Sequence, residues 1–280
     1  MANNLHNQYR AGYGKSRKAI KDEHNRSPLI HSADTYATYT RQCDYFADWC
    51  MAHGYRYVDE HIDTMIADYC EELIAKGKSP YTARTALNAI CHALNKRTTE
   101  IPCKLPERRR ENITRSRKPV EYDKHINLDH HKDLVRFQLC FGLRKGKELA
   151  PVKVSDIRDD GRNLTLHTIG KGGKHRTFQA CGSSEDIAAV RAYIASRPAD
   201  GLLFDRVPKA FDGHAERAAF ASRLYHEHAR PLDTLSREEL YICRGDKRGE
   251  KYDRQALQVV SRALGHSRLS VVINNYSWRF

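Results

Sequence analysis

The last part of the chain holds a histidine and a tyrosine that could together act on a phosphodiester. It reads LGHSRLSVVINNYSWRF, in which a Leu-Gly-His turn ends at His266 and a short apolar run leads to Tyr276. A tyrosine hydroxyl becomes an effective nucleophile when neighbouring groups handle its proton and stabilise the charge of the transition state. Alone, each residue is as well explained by packing, so the interpretation depends on the rest of the chain.

Three further stretches carry cations suited to a phosphodiester. FGLRKGKEL places Arg144 directly after an apolar run and a Gly-Leu step, and YICRGDKRG places Arg244 after an apolar step. An arginine at such a junction can offer its planar fork to two phosphate oxygens. In IGKGGKHRTF, Lys171 lies among three glycines, which allow a tight turn and close approach to another molecule. No Walker-type phosphate loop is present.

The composition favours a polyanionic partner. The 280 residues include 48 Lys and Arg against 35 Asp and Glu, a formal charge of +13, so nucleic acid is the leading partner class. The eight cysteines form no Cys-x-x-Cys pair, and the histidines lack zinc-ligand spacing. We therefore expect reduced cysteines, no metal site and no other cofactor. The N-terminus has no apolar signal core, and no apolar stretch reaches membrane-spanning length, so we expect a cytoplasmic protein without a membrane partner.

Composition along the chain divides it into four segments. Residues 1–30 are polar and basic and are expected to form a flexible arm; residues 31–103 show helical periodicity and predict a helical bundle. Residues 104–118 are almost devoid of apolar side chains and predict a basic linker that lies along phosphates. Residues 119–280 contain the candidate residues described above and are predicted to form the catalytic domain.

Start and stop signals predict the individual elements. In the bundle, one helix begins at Ser32 and ends at Gly54, a second stops at Gly77, and Ser79-Pro80 begins a third. Downstream, RNLTLHTIG alternates as a strand, turns at KGGK and returns through HRTFQA, which predicts a hairpin. Further helices are predicted over 134–143, 184–196, 214–229 and 253–263. The expected fold is mainly α with a small β-sheet.

Taken in chain order, the candidate residues resemble the tyrosine recombinase (phage integrase) family. The family carries Gly-Leu-Arg followed by Glu, a Gly-Lys-Gly-x-Lys-x-Arg hairpin, His-x-x-Arg, and Leu-Gly-His followed by Tyr. Here these elements read GLRKGKE, GKGGKHR, YICR and LGHSRLSVVINNY. The resemblance covers roughly residues 30 to 280. It departs at Tyr241, which stands where the family has the histidine of His-x-x-Arg.

The resemblance implies a fold and a mechanism. It implies an N-terminal helical core-binding bundle and a C-terminal α+β catalytic domain. It also implies strand cleavage through a covalent 3′-phosphotyrosine, without metal or ATP. The implied catalytic residues are Tyr276 as nucleophile, Arg144, Arg244, Lys171, His266 and Tyr241. The residues expected to contact DNA are Arg108, Arg109, Arg110, Arg115, Arg117, Lys118, Lys174 and Arg176.

The implied partner is a double-stranded DNA attachment site, bound by a homotetramer on synapsed DNA and by a monomer or dimer when free. A phage-encoded or other prokaryotic, nucleoid-associated protein of a mobile genetic element would fit this description. Two alternatives stay open. One is a catalytically impaired relative that binds DNA as a regulatory or architectural factor, and the other is a nicking-closing enzyme like the type IB topoisomerases.

Overall fold

The computed structural model describes residues 1–14, 29–55, 61–109, 120–170, 173 and 175–280. The chain divides into two compact units, Met1–Ser116 and Arg117–Phe280. The first unit is helical, and the second combines helices with two small antiparallel sheets. The prediction of a mainly α fold with a small β-sheet is confirmed.

The first unit is built from amphipathic helices whose start signals are visible in the sequence. Its described helices are α1 (Ala2–Gly12), α2 (Ala33–Ala52), α3 (Ile62–Ala75) and α4 (Pro80–Ala93). The side chains of Ser32 and Ser79 accept hydrogen bonds from the backbone at the starts of α2 and α4, as expected of N-caps. Phe46 and Ile66, fully buried, lie in its main apolar cluster.

The first residues of the chain differ from the flexible arm predicted for residues 1–30. Residues 1–14 include helix α1, whose Leu5 is fully buried beside Cys43 and Ala89. The Asn4 side chain also donates to the carbonyl of Ala93 at 2.9 Å, and the Gln8 side chain donates to that of His92 at 2.8 Å. A polar segment is thus held because its few apolar residues share one helix face and its amides find backbone acceptors. Residues 15–28 lie outside the described part of the chain.

The second unit begins with a helix and a three-stranded sheet. Its elements here are α5 (Lys132–Phe141), a π-helical turn (Lys145–Leu149), a 3₁₀ turn (Val154–Asp156), β1 (Ile157–Asp159), β2 (Leu164–Ile169), β3 (His175–Gln179) and α6 (Ser184–Ala195). Strand β2 is central and pairs antiparallel with both neighbours, with Leu166 opposite Ile157 and Phe178. The predicted hairpin is therefore β2–β3, and β1 extends it.

The helices and strands that follow α6 lead to a short turn at the end of this unit. They are α7 (His214–His228), β4 (Leu240–Ile242), β5 (Lys251–Asp253), α8 (Arg254–Ala263), α9 (Leu269–Tyr276) and a final 3₁₀ turn (Ser277–Arg279). Strands β4 and β5 form a separate two-stranded hairpin that the residue pattern did not predict. One apolar cluster includes Ala218, Leu257, Val272 and Tyr276, so Tyr276 belongs to packed structure.

Two further observations concern the cysteines and the hydropathy of the helices. The eight cysteines are all free thiols, six of them buried. None of the described helices is both long and apolar enough to cross a membrane.

Candidate functional site

Tyr276 lies at the C-terminal end of α9 with its hydroxyl inside a cluster of basic side chains. Its side chain is almost fully buried, and its Oη accepts a hydrogen bond of 2.9 Å from Nε of Arg217. The rings of His214 and His266 lie 5.5 and 5.9 Å from the tyrosine ring, centre to centre. The hydroxyl is therefore bonded to a guanidinium, and two imidazoles lie beside the tyrosine ring.

Arg217 is a buried arginine that joins three parts of the unit. Besides Tyr276, its guanidinium donates to the carbonyl of Gly142 at the end of α5 and, at 2.7 Å, to that of Leu264 at the end of α8. It also forms an ion pair of 3.8 Å with Glu148. Burial lowers the pKa of Arg217, and the negative charge that Tyr276 can carry opposes that shift. A guanidinium is the one cationic group that can make so many directed contacts at once.

Glu148 is the counter-charge of the cluster. It is fully buried in the π-helical turn, and its carboxylate accepts from the backbone N–H of Arg144 at 2.8 Å, from Nη1 of Arg144 at 2.5 Å and from Nη1 of Arg176 at 2.7 Å. Burial raises the pKa of this carboxyl, but the Arg144 N–H and the charges of Arg144, Arg217 and Arg176 outweigh burial, so the pKa lies below its usual value. Glu148 is thus a carboxylate at neutral pH.

The end of α8 supplies backbone acceptors for the same arginines. Gly265 adopts a left-handed conformation (φ +65°), and the N–H of His266 bonds back to the carbonyl of Ser261 at 2.8 Å. This helix ending leaves the carbonyls of Ala263 and Leu264 outside the helical ladder. Ala263 accepts from Nη2 of Arg176 at 2.6 Å, and Leu264 accepts from Nη2 of Arg144 at 3.2 Å as well as from Arg217. The negative end of the helix dipole favours these contacts.

A second set of contacts fixes the start of α7, which carries His214 and Arg217. The Asp123 carboxylate accepts from the backbone N–H groups of Asp212, at 2.5 Å, and Gly213, at 3.2 Å. The buried Gln138 side chain donates to the carbonyls of Leu143, at 2.5 Å, and Gly213, at 3.3 Å. Gln138 therefore links the turn that precedes Arg144 to the start of α7, so that Arg144 and Arg217 share one support.

His266 is held by its backbone while its ring faces the cluster. The Ser261 hydroxyl donates to its carbonyl at 3.0 Å. Burial, with the charges of Arg217, Arg144 and Arg176, lowers the pKa of His266 to about 4. The Nε2 atom is buried and has no hydrogen-bond partner among the described residues. A neutral imidazole with an unused nitrogen beside three arginines can bond to an incoming anion or receive a proton.

This arrangement suits the chemistry of a phosphodiester. Arg144 is the more exposed of the site arginines, with 29 % of its side chain accessible, and can present its guanidinium to phosphate oxygens. Arg217 adds a buried positive charge directly on the tyrosine hydroxyl. A phenol, cations and imidazoles in a partly dehydrated site are the groups that a tyrosine nucleophile and a charged transition state require.

The comparisons with known proteins find similarity in structure only. No protein-family model matches the sequence, and no curated protein matches it. The Tn1549 transposon integrase, solved in complex with circular intermediate DNA, is similar over 93 % of both chains with 15 % sequence identity and a TM-score of 0.52. The chain has the tyrosine recombinase fold. The XerH site-specific recombinase bound to difH substrate has 16 % identity and covers 86 % of this chain and 76 % of its own, with a TM-score of 0.48.

Of the residues predicted from the tyrosine recombinase resemblance, the structure brings Arg144, His266 and Tyr276 together. Lys171 lies outside the described residues. Of those expected to contact DNA, Arg108 and Arg109 are exposed in the first unit, where Tyr81 donates to the Arg108 carbonyl. The others that fall outside the described residues are Arg110, Arg115, Arg117, Lys118 and Lys174.

The structure places three of the predicted residues apart from the positions that the resemblance implies. Arg244 is exposed in the loop between β4 and β5, and within the described chain no hydrogen bond or ion pair joins it to the cluster around Glu148. Tyr241 lies in β4 and pairs with Tyr252 across that hairpin, whereas Cys243 and Arg244 lie beyond the end of the strand. Arg176, expected on DNA, is only 11 % exposed and is held by Glu148 and Ala263, since β3 directs it inward over Phe178.

Sequence reasoning missed His214 and Arg217. They stand in His-Ala-Glu-Arg, which has the His-x-x-Arg offset that the YICR stretch lacks. The β4–β5 hairpin lies between this stretch and Leu-Gly-His, so spacing along the chain favours the nearer Arg244 over Arg217. Gln138 and Asp123, which position α7, carry no motif that a sequence could reveal.

We expect His266 to make stability depend on pH. Its folded pKa, about 4, lies below its ordinary 6.5, so the unfolded state binds the proton first as pH falls. Its contribution to stability is therefore complete above pH 6.5 and is lost progressively between pH 6.5 and about 4. We expect a loss on the order of 2 kcal/mol, after allowance for solvent that reaches the ring.

Urea unfolding of wild type and His266→Gln across this pH range measures the effect, since the variant should lack that part of the pH dependence. His228→Gln, a change at the exposed end of α7, is the control and should keep the wild-type dependence. Identical curves for wild type and His266→Gln would contradict the prediction.

Proposed function

We propose that this protein is a DNA strand-exchange enzyme of the tyrosine recombinase type, which cleaves and rejoins DNA at specific sites through Tyr276. The observation that carries the proposal is the hydrogen bond from buried Arg217 to the Tyr276 hydroxyl, within a cluster organised on Glu148. The likeness in fold to an integrase solved with DNA supports it. The positive net charge suits a DNA partner.

In the proposed reaction, Tyr276 Oη attacks a DNA phosphorus atom. The Oη–P bond forms and the bond from phosphorus to the 5′-oxygen breaks, which leaves a 3′-phosphotyrosine and a free 5′-hydroxyl. The phenol proton leaves to a base, and the 5′-oxygen gains a proton from an acid. Because the phosphodiester energy is kept in the covalent bond, attack by a second 5′-hydroxyl restores DNA without ATP.

The residues of the site take different parts in this scheme. Arg144 and Arg217 stabilise the charge that grows on the non-bridging oxygens. His266, neutral at pH 7 and with Nε2 unused among the described residues, hydrogen-bonds a phosphate oxygen or receives the phenol proton. His214, whose ring centre lies 5.5 Å from that of the tyrosine, is a second candidate for these roles. Lys171, outside the described residues, is proposed as the acid for the 5′-oxygen on the strength of its motif alone.

Partners and organisation follow as part of the same proposal. The substrate is a double-stranded attachment site, and exchange between two such sites requires four copies of the chain, one for each strand that is cut. Residues 31–103 would bind DNA as the core-binding domain, with residues 104–118 as a basic linker and residues 119–280 as the catalytic domain.

A covalent trap tests the proposal and identifies the DNA site at the same time. The protein is incubated with a library of randomised duplexes that carry a nick, so that the short cleaved fragment diffuses away and the adduct accumulates. DNA that remains attached to protein after denaturation is recovered and sequenced. Wild type should yield an enriched sequence, and Tyr276→Phe should yield no adduct.

The matched control is Tyr193→Phe, since the Tyr193 hydroxyl bonds to the Leu203 carbonyl away from the site. It should form the adduct as wild type does. No adduct with wild type, or an equal adduct with Tyr276→Phe, would contradict the enzymatic proposal and favour the DNA-binding alternative. Relaxation of supercoiled plasmid without exchange between two sites would instead favour the topoisomerase-like alternative.

A further inference from the structure

The loop between β4 and β5 contacts the residue that directly follows Tyr276. Nζ of Lys247 donates to Oγ of Ser277 at 2.9 Å and forms an ion pair with Oε2 of Glu250 at 3.0 Å. The Ser277 hydroxyl in turn donates to the carbonyl of Ile273 at 2.7 Å, one turn back in α9. The Ser277 hydroxyl thus acts as a donor to the end of α9 and as an acceptor for the loop.

The loop is a firm support for this contact. Its ends are tied by the bond from the N–H of Cys243 to the carbonyl of Glu250 at 2.8 Å, and its centre by the bond from the N–H of Arg248 to the carbonyl of Gly245 at 3.0 Å. The Cys243 side chain is buried in the apolar cluster that contains Tyr276. The Lys247 side chain is only 21 % exposed, so the surrounding residues restrict its motion.

The base of the hairpin is anchored as well. Two nitrogens of Arg230 bond to the buried Asp253 carboxylate at 2.8 and 3.0 Å, and the backbone N–H of Asp253 donates to the Tyr225 hydroxyl at 3.0 Å. The bonds from Arg230 hold the pKa of Asp253 well below its usual range. This ion pair therefore persists at neutral pH and ties the hairpin to the end of α7.

The other end of the turn after Tyr276 is held by packing. Phe280 stacks on Tyr225 with ring centres 4.5 Å apart, and the Ser222 hydroxyl donates to the Arg279 carbonyl at 2.7 Å. Lys247 supplies the polar contact at the start of this turn, beside the tyrosine. Residues 277–280 are therefore held at both ends, and Lys247 contacts the end that adjoins Tyr276.

We propose that Lys247 is a positioning residue for the nucleophile, an inference that rests on the proposed function. Tyr276 is the last residue of a short helix, and its hydroxyl must lie in line with the 5′-oxygen for attack. Lys247 holds Ser277 and so limits the rotation of this helix end. Misplacement of a reacting group by an ångström costs a large part of the rate even when the groups themselves are intact.

The test compares Lys247→Ala with two variants of the same loop. Arg248→Ala removes an equal charge from an exposed neighbour, and Lys247→Arg keeps a donor of similar reach. Under single turnover at saturating protein, Lys247→Ala should form the covalent adduct about 10-fold more slowly than wild type. Arg248→Ala should match wild type, and Lys247→Arg should recover most of the rate. DNA affinity, measured with Tyr276→Phe as the background, should be unchanged by Lys247→Ala.

A double variant and an activity-independent readout complete the test. Adding Lys247→Ala to Ser277→Ala should slow the reaction little beyond Ser277→Ala alone, because Ser277→Ala already removes the contact with Lys247. Hydrogen exchange at residues 277–280 should be faster in Lys247→Ala than in Arg248→Ala.

Unchanged exchange in Lys247→Ala would overturn the inference. So would a rate equal to wild type, or a rate loss that merely follows DNA affinity. Absence of the adduct in wild type would defeat the proposed function instead, while exchange would still decide whether Lys247 holds the turn.

Discussion

Arg217→Lys should abolish most strand cleavage, whereas Arg244→Lys should leave it nearly intact. Arg217 makes three directed hydrogen bonds, to Tyr276, Gly142 and Leu264, from a site where it is 3 % exposed. A lysine keeps the charge but cannot reproduce the planar fork. Loss of a donor that stabilises a charged transition state costs on the order of 10²- to 10³-fold in rate. Arg244 is exposed and is not needed for this geometry.

The measurement is single-turnover formation of the covalent adduct on the trapped DNA sequence, with thermal unfolding of each variant as the check on folding. Both changes replace arginine by lysine, so they differ only in position. Equal damage by the two changes, or greater damage by Arg244→Lys, would restore the sequence-based assignment of Arg244 and reject that of Arg217.

Glu148→Gln should be the most destabilising single change in the cluster. It removes the carboxylate that accepts from Arg144 and Arg176 and leaves three partly or fully buried guanidinium groups without their counter-charge. Removal of one partner from a buried ion pair typically costs about 3–5 kcal/mol, because the remaining charge stays desolvated. Urea unfolding at pH 7 measures the loss. Asp205→Asn, which removes an exposed carboxylate paired with Arg197, is the control and should change stability little.

The difference between wild type and Glu148→Gln should also depend on pH. The folded pKa of Glu148 lies below its ordinary 4.5, so its contribution is complete above pH 4.5 and is lost as pH falls through the folded value. The two unfolding free energies should therefore converge in acid. A difference that stays constant down to about pH 3 would mean that the carboxylate's charge does not hold the arginines.

Much of the fold could be predicted because local signals decide it. Ser32 and Ser79 are N-caps as expected, and the predicted helix over 184–196 is observed as Ser184–Ala195. The β4–β5 hairpin could not be predicted, because each strand has three residues and its stability comes from Arg230, Asp253 and packing. Helix α1 was missed since its face is polar except for a few residues, and its partners lie far along the chain.

The candidate site was predicted in part for a similar reason. Arg144, His266 and Tyr276 stand in short motifs, and such motifs are visible in a sequence. Arg217 also stands in one, but its identity as a site residue depends on α7 and α9 meeting, which is a long-range contact. Spacing along the chain misleads where a folded element such as the β4–β5 hairpin separates residues that meet in space.

The ending of α8 has a consequence for how the cluster tolerates mutation. The arginines of the cluster donate to the carbonyls of Ala263 and Leu264, and no side-chain substitution removes a backbone carbonyl. The acceptors are therefore robust to sequence drift at both positions. Sensitivity to mutation lies instead at Gly265. Any Cβ there would collide with the Arg176 guanidinium, and the backbone has a conformation that other residues rarely adopt. One position without a side chain thus bears the constraint for acceptors that two others supply.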